Sequence, residues 1–268
     1  MPTELMTDHL ITNAQVFFLV FARVLAMTQV APVISSEGVP FIARTGLAFL
    51  AGVAVFPWVL EAGYPLPDTM GAYALLLLGE AMVGILVGFY VAVLYSAFQV
   101  SGQFFSLQMG FGASQVMDPL SQVEIPVMGQ FLNLIAMFIF VTTLGFQRLF
   151  LTGVYGSFRA LRAVDLVLHR EDIVVMVVTS LTRMFEYALM LAFPILGTLI
   201  LIQVTMGLLA KSAPQMNLLM LGFPVSILVA YSVLVVAVPM LMASFDRVLD
   251  RSFDDLIRMF TLLRGAER

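Results

Sequence analysis

From Ala81 to Met117 the chain reads AMVGILVGFYVAVLYSAFQVSGQFFSLQMGFGASQVM, 37 residues without one Asp, Glu, Lys or Arg. A bilayer-spanning helix needs roughly 20 mostly apolar residues, so this stretch suffices for one crossing and is long enough for two. Outward from it lie further uncharged runs: Ile125–Gln147 (23 residues), Tyr187–Ala210 (24) and Ser212–Phe245 (34). Two weaker segments precede it, Ile11–Val30 interrupted by Arg23 and Phe41–Leu60 with Arg44 near its start. Across 268 residues 61% are hydrophobic, 11% are charged and the mean hydropathy is +1.01. Soluble domains run near half apolar and a quarter charged, and disordered chains are poorer still in apolar side chains. The composition is that of an all-α integral membrane protein.

Whole function classes fall away with it. There is no cysteine, which removes disulfides, thiolate metal sites and cysteine nucleophiles. His9 and His169 stand 160 positions apart, leaving little for a metal cluster, and no cofactor is expected. The net charge of −4 offers no basic patch to nucleic acid. Serine-hydrolase elbows, P-loops and HExxH pairs are absent, so catalysis is not expected.

Breakers place the loops. Ile34–Pro40 links the first two segments, and Glu61–Gly71, with Pro65 and Pro67, links the next two. Met109–Pro126 is glycine-rich at its start; Arg159–Asp172 is strongly charged; Lys211–Asn217 centres on Pro214. Met1–Leu10 carries Glu4 and Asp8 and no Lys or Arg, the reverse of a signal-peptide leader. Arginines mark Arg148–Arg170 and the C-terminus as cytoplasmic, and the N-terminus as external. If the two early segments each cross once, Leu60 is external again. The parity then calls for a hairpin within Ala72–Gln108 before the Ile125–Gln147 span.

Ionisable groups inside spans are costly and face protein or water. Glu80 shares a helical face with Gly84 and Gly88, a small-xxx-small surface that admits a neighbouring backbone, so it is expected to point at a packed partner. It is an ion or proton site, or else an interhelical ion pair holding an assembly, and the second reading outweighs the first. Arg23 and Arg44 have no local counter-ion, so theirs must come from another segment or chain. Arg183 and Glu186, three apart, can pair with each other. Gln99, Gln103 and Ser106 form a polar stripe that either lines a water-filled path or glues helices; it leads into the glycine-rich loop, which favours the path. At the C-terminus, Phe245, Val248, Leu249, Phe253, Leu256, Ile257, Phe260 and Leu263 repeat at helical spacing, and Asp246–Arg268 holds five acids and five bases. This is an amphipathic helix whose mixed charges suit a protein partner better than a lipid surface.

Three stretches carry a resemblance. Gly102–Pro119, continuing through Ile125–Gln130, resembles the central loop of the FliR family of type III secretion export-gate proteins. Ser212–Asn217, followed by Leu221–Pro224, resembles a second signature of that family, in which Ala213, Pro214, Gln215, Met216 and Asn217 form the loop. Arg23–Ile34, Val39–Pro40 and Arg44–Ala48 fit its N-terminal pattern, and Met117-Asp118-Pro119 is more similar to the flagellar than to the virulence branch. The resemblance implies long kinked helical hairpins, like a FliP-like and a FliQ-like part fused, in a gate built with FliP-like and FliQ-like subunits in the inner membrane at the flagellar basal body. It implies an export-gate membrane domain over residues 1–245 and a cytoplasmic amphipathic helix over 246–268, which meets an FlhB-like protein. Residues of about 109–126 would be the plug that closes the channel to ions before unfolded substrates pass. Gly110 and Gly112 allow tight folding there; Met109, Phe111 and Met117 supply soft apolar contacts; Asp118 and Pro119 fix the exit turn. The alternative is a stand-alone secondary transporter with Glu80 and the buried arginines as a relay, against which no inverted repeat of interrupted helices is seen.

Overall fold

The computed structural model describes residues 2–36, 38–109, 127–160, 162–163, 170–213, 215 and 218–265. Those residues are helical apart from short turns, and no strand occurs among them. The helices are α1 (Pro2–Val30), α2 (Phe41–Glu61), α3 (Met70–Gln108), α4 (Val127–Thr142), α5 (Gly145–Arg148), α6 (Ser157–Ala160), α7 (Arg170–Ser212) and α8 (Leu218–Gly265). A π-helical stretch, Leu149–Gly156, joins α5 to α6. Among the described residues five helices are long and apolar enough to cross a membrane, or six if α4 and the segment after it count as one span.

The hairpin expected within Ala72–Gln108 does not form. α3 is one unbroken helix of 39 residues. The reason is legible afterwards: no proline lies between Pro67 and Pro119, and the glycines of α3 are contact points rather than breaks. A Cβ on Gly84 would collide with the Arg23 carbonyl oxygen, and one on Gly88 would stand 2.8 Å from the Met27 oxygen. Prolines that do fall inside helices are Pro57, Pro194, Pro224 and Pro239.

The chain divides into two compact units, one of residues 1–94, 144–180 and 250–268, the other of 95–143 and 181–249. In the first, α1 and α2 form a hairpin packed through Phe17, Phe21, Phe49 and Phe56, with ring centroids 5.5–6.3 Å apart. Leu19, Val24, Met27, Val83, Val87, Leu149 and Leu256 are its buried core. Gly153 of the π-helical stretch lets Val87 and Met27 come within 3.2 and 3.4 Å of where a Cβ would be. In the second, Phe98, Phe105, Leu132, Phe140, Ile195 and Phe245 are buried, and the Phe98 and Phe245 rings meet edge to face at 3.9 Å.

The first unit also corrects the assignment of sides. The Trp58 and Tyr155 rings lie 4.9 Å apart, and Trp58, Glu61 and Tyr64 share one cavity with Arg159 and Arg162. The Glu61–Gly71 loop and the arginine-rich segment, set on opposite sides by the crossing count, are neighbours at one end. An unbroken α3 removes the crossing that separated them.

Candidate functional site

Glu80 sits on α3 with its side chain fully buried. Four donors converge on its carboxylate. Arg23 of α1 gives Nε and Nη2 to Oε2 at 2.6 and 2.5 Å. The Tyr64 hydroxyl, from the loop between α2 and α3, donates to Oε1, as does the Ala163 backbone N–H at 3.1 Å. The remaining Arg23 nitrogen, Nη1, donates to Ser157 Oγ at 3.1 Å, and that hydroxyl donates onward to the Val154 carbonyl at 2.8 Å. The guanidinium carbon stands over the Phe158 ring, 3.8 Å from its centre.

Each part follows from the local chain. Gly84 lets α1 approach α3 closely enough for Arg23 to reach along the interface. Gly79 leaves room for Ala163, whose Cβ would be 2.7 Å from a methyl placed there. Burying two charges is tolerable only when geometry and hydrogen bonds replace most of the lost water; here the carboxylate accepts at both oxygens and the guanidinium donates through all three nitrogens. Burial, and then the neighbouring Glu80 carboxylate, push the Tyr64 hydroxyl well above its ordinary value near 10. One side chain thus ties α1, α3, the 62–69 loop and the 157–163 segment together. Sequence reasoning singled out Arg23 and Glu80 as separate problems 57 positions apart and missed Tyr64, Ser157, Phe158 and Ala163, which nothing in their spacing marks.

The other expected residues lie elsewhere. Among the described residues Arg44 meets no acid; it donates to the Val39 and Ser36 carbonyls at 3.0 and 2.7 Å and weakly to Gln29, holding the α1–α2 turn in which Val33 takes a left-handed φ of 68°. Gln99 and Gln103 are half-buried, and their Cγ atoms would be 3.5 and 3.6 Å from a Cβ on Gly129 of α4. Ser106 and Met109 are buried just beyond, and Gln108 donates to Gln203 of α7 at 2.9 Å. A Cβ on Gly102 would stand 2.7 Å from both Gly129 Cα and the Met128 oxygen, so α3 and α4 are in backbone contact there. Arg183 is half-buried on α7 and Glu186 is exposed. Gly110, Phe111, Gly112, Met117, Asp118 and Pro119 lie outside the described residues, as do Pro214, Met216 and Asn217 of the second signature; Ala213 and Gln215 follow α7.

The amphipathic tail continues α8 without a break. Its apolar stripe is already covered by the chain itself: Phe253, Leu256 and Phe260 are buried, and Phe260 packs on Gly156. Arg148 pairs with Asp250 on the surface beside it. Among the described side chains, the tail leaves its charged face and Ile257 exposed.

A sequence profile described as bacterial export proteins, family 1, matches residues 14–252. The flagellar biosynthetic protein FliR of Borreliella burgdorferi is 33% identical over 200 residues, 74% of each chain. FliR of Bacillus subtilis is 28% identical over 250 residues (92% of this chain, 95% of that one), and FliR of Escherichia coli 25% over 251 (94% and 95%). The chain belongs to this family of bacterial export proteins, and the relatives it resembles over most of its length are flagellar biosynthetic FliR proteins.

Proposed function

We propose that the chain is a non-enzymatic subunit of the flagellar type III export gate. With FliP-like and FliQ-like subunits it forms the channel through which unfolded flagellar proteins cross the inner membrane. The match over residues 14–252 carries this reading. Physical support comes from helix length: 43 residues in α7 and 48 in α8 make about 65 and 72 Å at 1.5 Å per residue, against a hydrocarbon layer of roughly 30 Å. Such helices need protein neighbours beyond the bilayer. They also expose Phe193, Leu201, Leu228, Val235 and Val236, the last 81% exposed, as apolar surface for lipid or subunits.

In this reading residues of about 109–126 are the plug, and the Gly102–Gly129 contact holds its two stems together. Residues 1–245 are the gate domain and 246–268 the tail, with the C-terminus cytoplasmic and its charged face toward an FlhB-like protein. Glu80, Gly84, Gly88, Arg23 and Arg44 hold the N-terminal helices, and Arg183, Glu186 and the Ala213–Asn217 loop belong to the part facing other subunits. The buried, four-fold satisfied Glu80 offers no open acceptor for a transported proton, which weighs against the transporter reading. The test is co-expression of tagged chain with the FliP- and FliQ-like proteins of the same organism, followed by native mass spectrometry. A defined hetero-oligomer is expected; a stable monomer or homodimer ignoring both refutes the gate. Deleting residues 110–124 should leave that complex intact and make vesicles leak ions, and unchanged conductance removes the plug.

A further inference from the structure

Beside the Glu80 cluster, at the end of α2, is a polar cavity of about 500 Å³ lined by Trp58, Glu61, Tyr64, Tyr155, Arg159 and Arg162 among others. Arg159 stacks over Tyr155 at 5.1 Å, and Tyr155 meets Trp58 edge to face, so guanidinium and rings form one wall. The cavity sits where the apolar α2 span gives out at Glu61. Tryptophan and tyrosine at a span end mark headgroup depth in a bilayer, and arginine binds phosphate oxygens through paired N–H donors. Consecutive residues of the same two segments line an apolar groove of about 460 Å³: Tyr64 and Arg162 border the cavity, and Pro65 and Ala163 the groove, with Pro67, Leu75 and Leu76.

We propose that this pair of concavities binds one anionic phospholipid, its phosphodiester against Arg159 and Arg162 and an acyl chain along Pro65, Leu75 and Leu76. Among the described lining residues there are two arginines and one glutamate, a net positive charge that suits a phosphodiester. A bound lipid would brace the 62–69 loop from outside while Tyr64 anchors it from within.

Trp58 is the only tryptophan of the chain, so its fluorescence reads the cavity alone. The full chain is placed in phosphatidylcholine nanodiscs and titrated with phosphatidylglycerol or phosphatidylcholine carrying brominated acyl chains. Quenching by the anionic lipid is expected at clearly lower mole fraction. An arginine near an anionic surface is worth roughly fivefold in affinity, so Arg159→Gln/Arg162→Gln should cut the preference by more than tenfold, and Arg258→Gln should leave it unchanged. Equal quenching by both lipids in the unmodified chain overturns the proposal, and this comparison stands by itself if the double variant does not fold. A preference that survives in the folded double variant also overturns it. Displacement of the brominated lipid by millimolar glycerol 1-phosphate would assign the cavity to a soluble phosphate ester and reject the lipid; no displacement supports it.

Discussion

Replacing Glu80 with alanine removes the counter-charge of Arg23, whose side chain is 2% exposed, and strands the Tyr64 hydroxyl and the Ala163 N–H. Breaking one partner of a buried ion pair typically costs about 3–5 kcal/mol, because the surviving charge has neither water nor a partner. Against a total stability of about 5–15 kcal/mol the variant is still folded but badly weakened. Glu80→Gln keeps an acceptor for Tyr64 and Ala163 and loses the charge, so its cost should fall between alanine and the unmodified chain. The double change Arg23→Met/Glu80→Leu removes both charges at similar volume and should recover the part of the loss that comes from the stranded charge, while the Tyr64 hydroxyl and the Ala163 N–H still lack their acceptor. The assay is denaturant unfolding in detergent followed through Trp58, which lines the same cavity as Tyr64, with the coupling taken from the double-mutant cycle. Singles that each cost under about 1 kcal/mol, the range of exposed pairs, would refute the argument, as would a double variant no more stable than either single.

Four further outcomes are expected. Because the Tyr64 hydroxyl is held neutral above its ordinary value, its contribution is whole below pH 10 and is lost as pH rises through the folded-state value; unfolding midpoints should fall at high pH, and less so in Tyr64→Phe. Gly102→Ala forces a methyl into the Gly129 backbone and should destabilise by about 1–3 kcal/mol, read by thermal unfolding. Phe260→Ala uncovers the tail's seat on Gly156 and should cost about 3–5 kcal/mol, with protease cleavage near Arg251 as the readout. Arg148→Ala, by contrast, removes a pair whose side chains are 39% and 50% exposed and should change stability by no more than about 1 kcal/mol in the same thermal assay.

Spans and loops were legible because charge gaps and prolines are local signals: Ile34–Pro40 and Pro65–Pro67 fall where α1, α2 and α3 end or begin. Gly84 and Gly88 were read as packing surface, and they are one; the hairpin rested on the crossing count alone, and α3 runs through it unbroken. Partner choice was not legible. Arg23 and Glu80 each announced a missing counter-ion, but only the α1–α3 interface makes them one pair, with Tyr64, Ser157 and Ala163 drawn in by a loop whose sequence carries no period. The tail's stripe was plain from Phe245 to Phe260; what covers it was not, because no local pattern pairs Phe260 with Gly156, far earlier in the chain. Arg44 looked like a buried charge and is a cap on carbonyls, a use that depends on the turn at Val33.

The pairing of Arg23 with Glu80 also sets an order in time. Residues are made from the N-terminus at about 5–20 per second, so the 57 positions between them take roughly 3–11 s, and Ala163 follows later still. Until then the Glu80 carboxylate that pairs with Arg23 in the span it interrupts has not been made. The first helix must wait near water or the headgroups, and the N-terminal hairpin settles only when α3 arrives beside it. A stalled nascent chain ending before residue 80 should therefore be extractable from membranes by alkaline carbonate, and one extending past residue 163 should resist.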